Sequence, residues 1–251
     1  MRLEPGLDAR HLLVIGAGPG VGAAVARRFG REGFRATLVS RGEGLDVLAA
    51  GLRAEGVEVS QLLADVEDLD GFRSILRGLY SRQDAPAVLV YNASMLVPDG
   101  ILTSTPEHLH EAYDVDVVGA IAAAQIAAPV LRAAGSGTIL FTGGGFADFP
   151  LPAFATISLG KAALRAAATL LAAELGGDGV HAASVTIAGQ VASGTAFDPD
   201  DIAELFWSAH SEGPDRWVAE YRFEAPPDEA HSASNGAWRA PPSARRGSSA
   251  L

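Results

Sequence analysis

The sequence predicts a doubly wound α/β fold, in which helices cover both faces of a parallel sheet. Three observations support this prediction. Short β-type runs alternate with longer helical ones, some of these runs are apolar throughout, and a glycine-rich turn follows the first of them. The run at residues 87–91, Ala-Val-Leu-Val-Tyr, is typical of a strand buried on both faces. With 251 residues, 48% of them hydrophobic, the chain is predicted to form one large domain.

The predicted elements alternate regularly along the chain. Strands are predicted at residues 12–15, 35–39, 57–63, 87–91, 138–142 and 181–187. Helices are predicted at residues 21–31, 45–54, 69–82, 106–134, 153–175 and 198–210, followed by a short last strand at residues 216–223. Right-handed crossovers between parallel strands then place any ligand at the carboxyl ends of the strands.

Local chemistry marks several boundaries. Thr105 is a typical cap residue, and the proline and acid that follow it favour a helix start. Glycines at residues 176, 177 and 179 are expected to end the helix before them. From residue 225 the composition shifts to Pro, Ser, Gly and Arg, which offers little apolar surface. We therefore predict a Rossmann-type domain over residues 1–224 and a disordered tail over residues 225–251.

Charge and composition argue against several classes of protein. The net charge of -11, from 19 basic and 30 acidic residues, argues against a nucleic-acid partner on electrostatic grounds. The absence of cysteine excludes disulfides and thiolate zinc sites and is compatible with a cytoplasmic location. The apolar stretch at residues 119–134 contains Gln125, Pro129 and Arg132, so we predict a buried helix there and no membrane span.

The glycine-rich turn is the strongest functional signal. Residues 16–22 read Gly16-Ala17-Gly18-Pro19-Gly20-Val21-Gly22 and lie between the first strand and the first helix. Glycines let the backbone approach a pyrophosphate, whose charge is met by the N–H groups at the helix start. This context predicts a dinucleotide-binding loop.

The spacing of Gly16, Gly20 and Gly22 resembles the loop of the short-chain dehydrogenase/reductase family, with Ile15 where a threonine is usual. Further matching segments follow in order over residues 12–197: Asp65-Val66, Tyr91-Asn92-Ala93-Ser94, Lys161 with the helix after it, Ala188-Gly189 and Thr195. The resemblance implies an oxidoreductase with a bound dinucleotide. It also implies cofactor contacts, besides the glycine loop, at Asp65, Val66, Asn92, Ala93, Lys161, Gly189 and Thr195.

The second strand indicates which dinucleotide is preferred. It ends in Ser40 and Arg41, with no acid before Glu43. Proteins that bind NAD have an acid at this point, whereas an arginine accommodates the additional phosphate of NADP. We therefore predict NADP(H), with NAD less favoured; the alternative is that Arg41 is a solvated surface residue.

The family's usual catalytic groups are mostly missing. The resemblance places a tyrosine four residues before the active-site lysine, a serine thirteen residues before that tyrosine, and an asparagine on the preceding long helix. This sequence has Ile157, Gly144 and Asp116 at those positions, and only Lys161 is retained. Lys161 is also the one lysine among nineteen basic residues. A compact ammonium suits contact with ribose hydroxyls, so we predict that Lys161 mainly holds the cofactor.

Four residues are candidates for a replacement proton donor: Lys161, Asp116, Tyr91 and Tyr113. For each tyrosine the alternative is a structural role with a satisfied hydroxyl. Three functions therefore stay open. The first is an NADP(H)-dependent oxidoreductase acting on a small carbonyl or alcohol with an altered proton donor. The others are a catalytically silent NADP(H)-binding protein and a non-redox enzyme on the same scaffold.

Two further predictions concern assembly and metals. The helices at residues 106–134 and 153–175 resemble the pair through which the family dimerises, and their alanines allow close packing in a homodimer or homotetramer. Glu107-His108-Leu109-His110-Glu111 contains metal-ligating residue types, but residues two apart do not share a helix face. No metal site is predicted.

Overall fold

Seven parallel strands form one sheet in the computed structural model, which describes residues 6–42 and 44–225, and their order is β3-β2-β1-β4-β5-β6-β7. The strands are β1 (Leu7–Ile15), β2 (Arg35–Ser40), β3 (Val59–Leu63), β4 (Ala85–Tyr91), β5 (Gly137–Gly144), β6 (Val180–Ile187) and β7 (Glu220–Phe223). The helices are α1 (Val21–Arg31), α2 (Gly44–Ala54), α3 (Leu69–Tyr80), α4 (Pro106–Tyr113), α5 (Gly119–Ala134), α6 (Ala155–Leu175) and α7 (Pro199–Ser211). The predicted doubly wound fold is confirmed for these residues. Apart from Ala225, the predicted tail lies outside them.

Two apolar cores cover the two faces of the sheet. Because successive side chains of a strand point to opposite faces, Leu12 and Val14 of β1 join one core, and Leu13 and Ile15 join the other. Helices α1, α2 and α7 pack on the first face, and α3, α5 and α6 pack on the second. This burial on both sides explains why a central strand such as β4 is continuously apolar.

Two predicted boundaries are wrong by more than two residues, both at strand starts. β1 begins at Leu7 instead of residue 12, because Leu7 pairs with Ala85 of β4 and the Asp8 carboxylate accepts a hydrogen bond from Arg35 at 2.8 Å. Those contacts stabilise a polar stretch whose sequence has no strand pattern. β7 is limited to Glu220–Phe223, because a 3-10 turn occupies residues 214–216.

The long helix predicted over residues 106–134 contains one π-helical turn, Asp114–Val118, between α4 and α5. The Gly119 N–H donates to the carbonyl of Asp114, five residues earlier. A Cβ at Gly119 would lie 2.5 Å from the Tyr91 hydroxyl oxygen, so the glycine lets the helix approach β4 closely. Such turns are frequent at functional sites, and this one carries Asp116.

The whole segment Pro106–Ala134 is long and apolar enough to cross a membrane by length and composition. In this fold its second part, α5, is a core helix. The alanines of α5, among them Ala120, Ala123, Ala124 and Ala127, are fully buried in the apolar core formed with α3 and α6. The prediction of a buried helix at residues 119–134 agrees with this packing.

Candidate nucleotide-binding and active site

A pocket of about 240 Å³ lies at the carboxyl ends of β1, β2, β3 and β4. The chain runs outward from β1 to β3 on one side and from β4 to β7 on the other, so the pocket lies at the switch point where such sheets bind ligands. Several residues predicted to contact a nucleotide line it: Gly16, Ser40, Arg41, Asp65, Val66, Asn92 and Ala93.

The glycine loop is tightly packed at its start and open in its middle. Gly16 has a φ of 79°, and a Cβ there would lie 2.2 Å from the backbone nitrogen of Ala93, so only glycine fits. The Asn92 side-chain amide donates to the Gly16 carbonyl at 2.9 Å and joins the loops after β1 and β4. By contrast, a Cβ at Gly18 or Gly20 would meet no atom within 4 Å.

Helix α1 starts beside this open space. Gly20 is its N-cap residue, and no side chain caps the first N–H groups. Those groups carry the partial positive charge of the helix start. Pro19 is exposed, while Val21 and Gly22 are buried, and a Cβ at Gly22 would lie 3.1 Å from the Cα of Ala17. A tight loop with open glycines before an uncapped helix start fits a pyrophosphate.

Arg41 at the rim of the pocket is paired with a carboxylate. Its guanidinium donates to Glu67 at 2.6 Å, and the Arg41 side chain is 64% exposed. The backbone N–H of Glu67 donates to the Asp65 carboxylate at 3.0 Å, which fixes the turn after β3. The sequence prediction missed Glu67, because 26 residues separate it from Arg41. The one sequence signal that could have identified Glu67 is its position directly after Asp65 and Val66, the pair that matches the family.

Lys161 is buried on α6. Its Nζ donates to the carbonyl of Thr142, near the end of β5, at 2.8 Å. Burial lowers the pKa of Lys161, and the negative charge of Asp116 opposes that shift. A Cβ at Gly144 would lie 3.6 Å from Cγ of Lys161, so the position where the family has serine faces the lysine chain. Ile157, at the family's tyrosine position, is buried and has no proton to transfer.

Asp116 is buried in the π-helical turn. Burial raises the pKa of Asp116 to about 6, although the Met95 N–H, 2.8 Å from Oδ1, and the charge of Lys161 both lower it. Its second oxygen, Oδ2, is buried and has no hydrogen-bond partner among the residues that the structure describes. A Cβ at Gly160 would lie 2.9 Å from this oxygen, so glycine at that position makes room for the carboxylate. Asp116 and Lys161 are thus a buried acid and a buried base, and the charge of each shifts the pKa of the other.

The two candidate tyrosines lie in different surroundings. Tyr91 is fully buried at the end of β4, and its hydroxyl donates to the carbonyl of Val115. Burial, together with the charge of Asp116, raises the pKa of Tyr91 well above its usual range. Tyr113 is 45% exposed and lines a second hollow with Leu109 and Leu159, between α4 and α6. The structure therefore gives Tyr91 the surroundings of a satisfied core residue and Tyr113 those of a surface residue.

The loop after β6 carries the last two predicted cofactor contacts. A Cβ at Gly189 would lie 2.2 Å from the ring of Phe197, so the glycine is needed for this packing. The Thr195 hydroxyl donates to the carbonyl of Ala192 at 2.7 Å. Both residues are exposed at the same edge of the sheet, but neither lines the pocket.

Asp99 connects the loop after β4 to the start of α6. Its carboxylate accepts hydrogen bonds from the backbone N–H groups of Ala155 and Thr156, and its own N–H donates to the Ala153 carbonyl at 2.9 Å. The imidazole of His108 lies 3.3 Å from the same carboxylate. The sequence prediction missed this cap, because capping partners are usually local.

Across residues 6–42 and 44–225, no group of three His, Asp or Glu side chains is arranged to hold a metal ion.

Comparisons with known proteins agree with this geometry. The family model for short chain dehydrogenases matches residues 10–197. An uncharacterized oxidoreductase of Methylorubrum extorquens is 27% identical over 236 residues, which are 84% of this chain and 94% of that protein. A very-long-chain 3-oxoacyl-CoA reductase of Pyricularia oryzae is 33% identical over 174 residues. That match covers 67% of this chain, which spans about half (52%) of the reductase.

Solved structures extend the comparison. A metagenomic short-chain oxidoreductase in complex with NADP has a TM-score of 0.78 at 26% identity, over 86% of this chain and 98% of that one. A short-chain dehydrogenase from Sphingobium yanoikuyae in complex with NADPH has a TM-score of 0.75 at 26% identity, over 90% and 92% of the two chains. Because the family model covers most of its length, this chain belongs to the short-chain dehydrogenase family, a family of oxidoreductases.

Proposed function

We propose that this protein is an NADP(H)-dependent oxidoreductase that interconverts a carbonyl compound and its alcohol. The observation on which the proposal rests is the site at the carboxyl ends of the strands, where the pocket has Arg41 at its rim and Gly16 and Ala17 in its lining, and where an open glycine loop and an uncapped helix start follow directly in the chain. The similarity to NADP- and NADPH-bound members of the family supports the choice of nucleotide. A cytoplasmic location stays a prediction from the cysteine-free composition.

The residues of this site, in the pocket and in the loop beside it, fit such a nucleotide. The glycine loop and the N–H groups of α1 would hold the pyrophosphate, Asp65 and Val66 would border the adenine, and Ser40 and Arg41 would meet the ribose phosphate. The loop after β6, with Gly189 and Thr195, would lie on the nicotinamide side. When bound, the reduced nucleotide supplies the hydride.

We assign the proton donor to Lys161. Tyr91 donates its one hydroxyl proton to the Val115 carbonyl, whereas the ammonium of Lys161 has further protons besides the one donated to Thr142. Tyr113 is on the surface, and Ile157 and Gly144 have no acidic proton. Burial makes the Lys161 ammonium a stronger acid than usual, because it lowers the pKa by disfavouring the charged form. Asp116 acts as a positioning residue, since its charge state sets how readily Lys161 gives up a proton.

The surroundings of the proposed reaction centre favour an apolar substrate. Exposed apolar side chains extend from the loops after β4 and β5, with Leu102 95% and Phe149 76% exposed, joined by Leu96, Ile101 and Leu151. The charged residues of these two loops are engaged in other contacts. Asp99 caps α6, and Asp148 forms ion pairs with Arg165 and Arg222. Exposed apolar residues on these two loops would offer an apolar substrate a surface to contact.

A second function is favoured by one specific observation, the absence of a tyrosine and a serine at the family's positions beside Lys161. A protein with Ile157 and Gly144 at those positions could bind NADP(H) without turning over. Offering NADPH and a panel of apolar ketones and aldehydes decides between the two functions. Oxidation of NADPH that depends on the carbonyl compound supports the enzyme, and its absence with every compound supports the binding protein.

Removing the Arg41 side chain tests the choice of nucleotide. We expect Arg41→Ala to reduce the preference for NADPH over NADH by about 1.5 to 3 kcal/mol, the range for a hydrogen bond to a charged group. Calorimetric titration with both nucleotides measures this difference. Arg31→Ala, which removes an exposed arginine at the far end of α1, is the matched control. Equal affinities of the wild-type protein for both nucleotides would contradict the proposal.

The protein is expected to form a homodimer or homotetramer through α4, α5 and α6. Tyr113, Leu159 and Leu170 are exposed apolar residues on these helices, and a hollow between α4 and α6 lies beside the first two. Light scattering at micromolar concentration should report an oligomer, and Leu170→Arg should raise its dissociation constant at least about tenfold. Val47→Arg, on the exposed face of α2, is the control. A wild-type monomer rules out this assembly.

A further inference from the structure

Glu67 places a second charge on the rim of the nucleotide pocket. It lines the pocket together with Arg41, and the two side chains form an ion pair of 2.6 Å between the ends of β2 and β3. Both side chains are partly exposed, at 64% for Arg41 and 39% for Glu67. The Arg41 guanidinium, which is expected to bind a ribose phosphate, is therefore already paired with the Glu67 carboxylate.

The two charges have opposite effects on the two forms of the nucleotide. A phosphate on the ribose gains from the Arg41 guanidinium, but it must displace the Glu67 carboxylate and is repelled by it. A free ribose hydroxyl is a hydrogen-bond donor, and a carboxylate is the acceptor that commonly reads it in NAD-binding sites. One rim thus presents a group suited to each form.

We infer that Glu67 is a specificity-determining residue, which weakens the binding of NADP(H) and supports the binding of NAD(H). The protein accordingly accepts both nucleotides, with a preference for NADP(H) smaller than Arg41 alone would produce. This inference rests on the proposed function, since it concerns the same nucleotide site.

The local structure allows a clean substitution. The turn that carries Glu67 is held by its backbone N–H, which donates to the Asp65 carboxylate at 3.0 Å, and not by its side chain. Glu67→Gln keeps the size of the side chain and removes only its charge. Glu58→Gln removes the same charge from an exposed position just before β3, at the opposite end of the strand from the pocket.

The test is calorimetric titration of wild type, Glu67→Gln and Glu58→Gln with NADPH and with NADH. We expect Glu67→Gln to bind NADPH about tenfold more tightly at low salt, and NADH no more tightly than wild type. The ratio of the two affinities should rise about tenfold or more, and this rise should shrink in about 0.5 M salt because the charges are partly exposed. Glu58→Gln should leave the ratio within about twofold of wild type.

Failure of this inference and failure of the proposed function give different results. If wild type binds nucleotide but the ratio in Glu67→Gln is unchanged or lower, the role of Glu67 is refuted and the proposed function stands. An equal rise in Glu58→Gln also refutes it, because the effect would then come from net charge. If wild type binds neither nucleotide, the proposed function fails and this inference falls with it.

Discussion

Replacing Lys161 by methionine is expected to lower the turnover number for carbonyl reduction by about 10² to 10⁴-fold, the usual contribution of general acid catalysis. The affinity for NADPH should fall by less than about tenfold, since the hydrogen bond of Nζ to Thr142 is internal and the pocket lining does not include Lys161. Methionine keeps most of the length of the buried side chain, so the fold should be retained. Single-turnover rates and calorimetric titration measure the two effects separately.

The pH profile distinguishes the proposed role of Asp116 from a merely structural one. The pKa of Asp116 is about 6, so above this pH the carboxylate is charged and holds the proton on Lys161 more firmly. The wild-type rate should therefore fall as the pH rises through this value. Asp116→Asn keeps an oxygen for the Met95 N–H but carries no charge. We expect this fall in rate to be absent in Asp116→Asn. At about pH 8 the rate of this variant should equal or exceed that of wild type.

The tyrosines provide the controls for both variants. Tyr91→Phe and Tyr113→Phe should keep the wild-type turnover within about threefold, because neither hydroxyl is assigned a proton-transfer role. A large loss in either one would reassign the donor. Equal losses of binding and turnover in Lys161→Met would limit that lysine to holding the cofactor, as the sequence alone had predicted.

Buried imidazoles are expected to make the fold sensitive to mild acid. Burial, with a smaller effect from His181, lowers the pKa of His210 to about 4, and burial also lowers the pKa values of His11 and His181. Since the folded pKa of His210 lies below the unfolded value of about 6.5, the unfolded chain binds more protons between these values. The stability contributed by neutral His210 is therefore present above about pH 6.5 and is lost as the pH falls toward 4.

Comparison with His210→Asn isolates this contribution from other titrating groups. The asparagine side chain of this variant cannot titrate, although it still offers a partner to the Thr138 hydroxyl, which lies 2.9 Å from Nδ1 of His210 in the wild type. We expect the wild-type advantage in unfolding free energy to shrink by about 2 kcal/mol between about pH 7.5 and pH 5. Urea denaturation at each pH measures it, with His110→Asn as the exposed control. An advantage that does not change with pH would contradict the prediction.

The fold and the nucleotide loop could be predicted from the sequence because their signals are local. The continuous apolar runs indicate burial on both faces of the sheet. Gly16 has a left-handed φ, which residues with a side chain rarely adopt. Most element boundaries were therefore predicted to within two residues. The retained Lys161 and the substituted positions Ile157 and Gly144 were likewise visible from their spacing alone.

The environments of the site residues were decided by the tertiary structure. Burial and charge at a side chain depend on elements far away in the sequence, as for Asp116, whose surroundings come from Met95, Gly160 and Lys161. The same holds for the pairing of Arg41 with Glu67, which brings two strand ends together. Spacing identifies which residues are present, but desolvation and Coulomb interactions act through space. The sequence by itself thus determined the family and the fold, and the structure decided which charges meet.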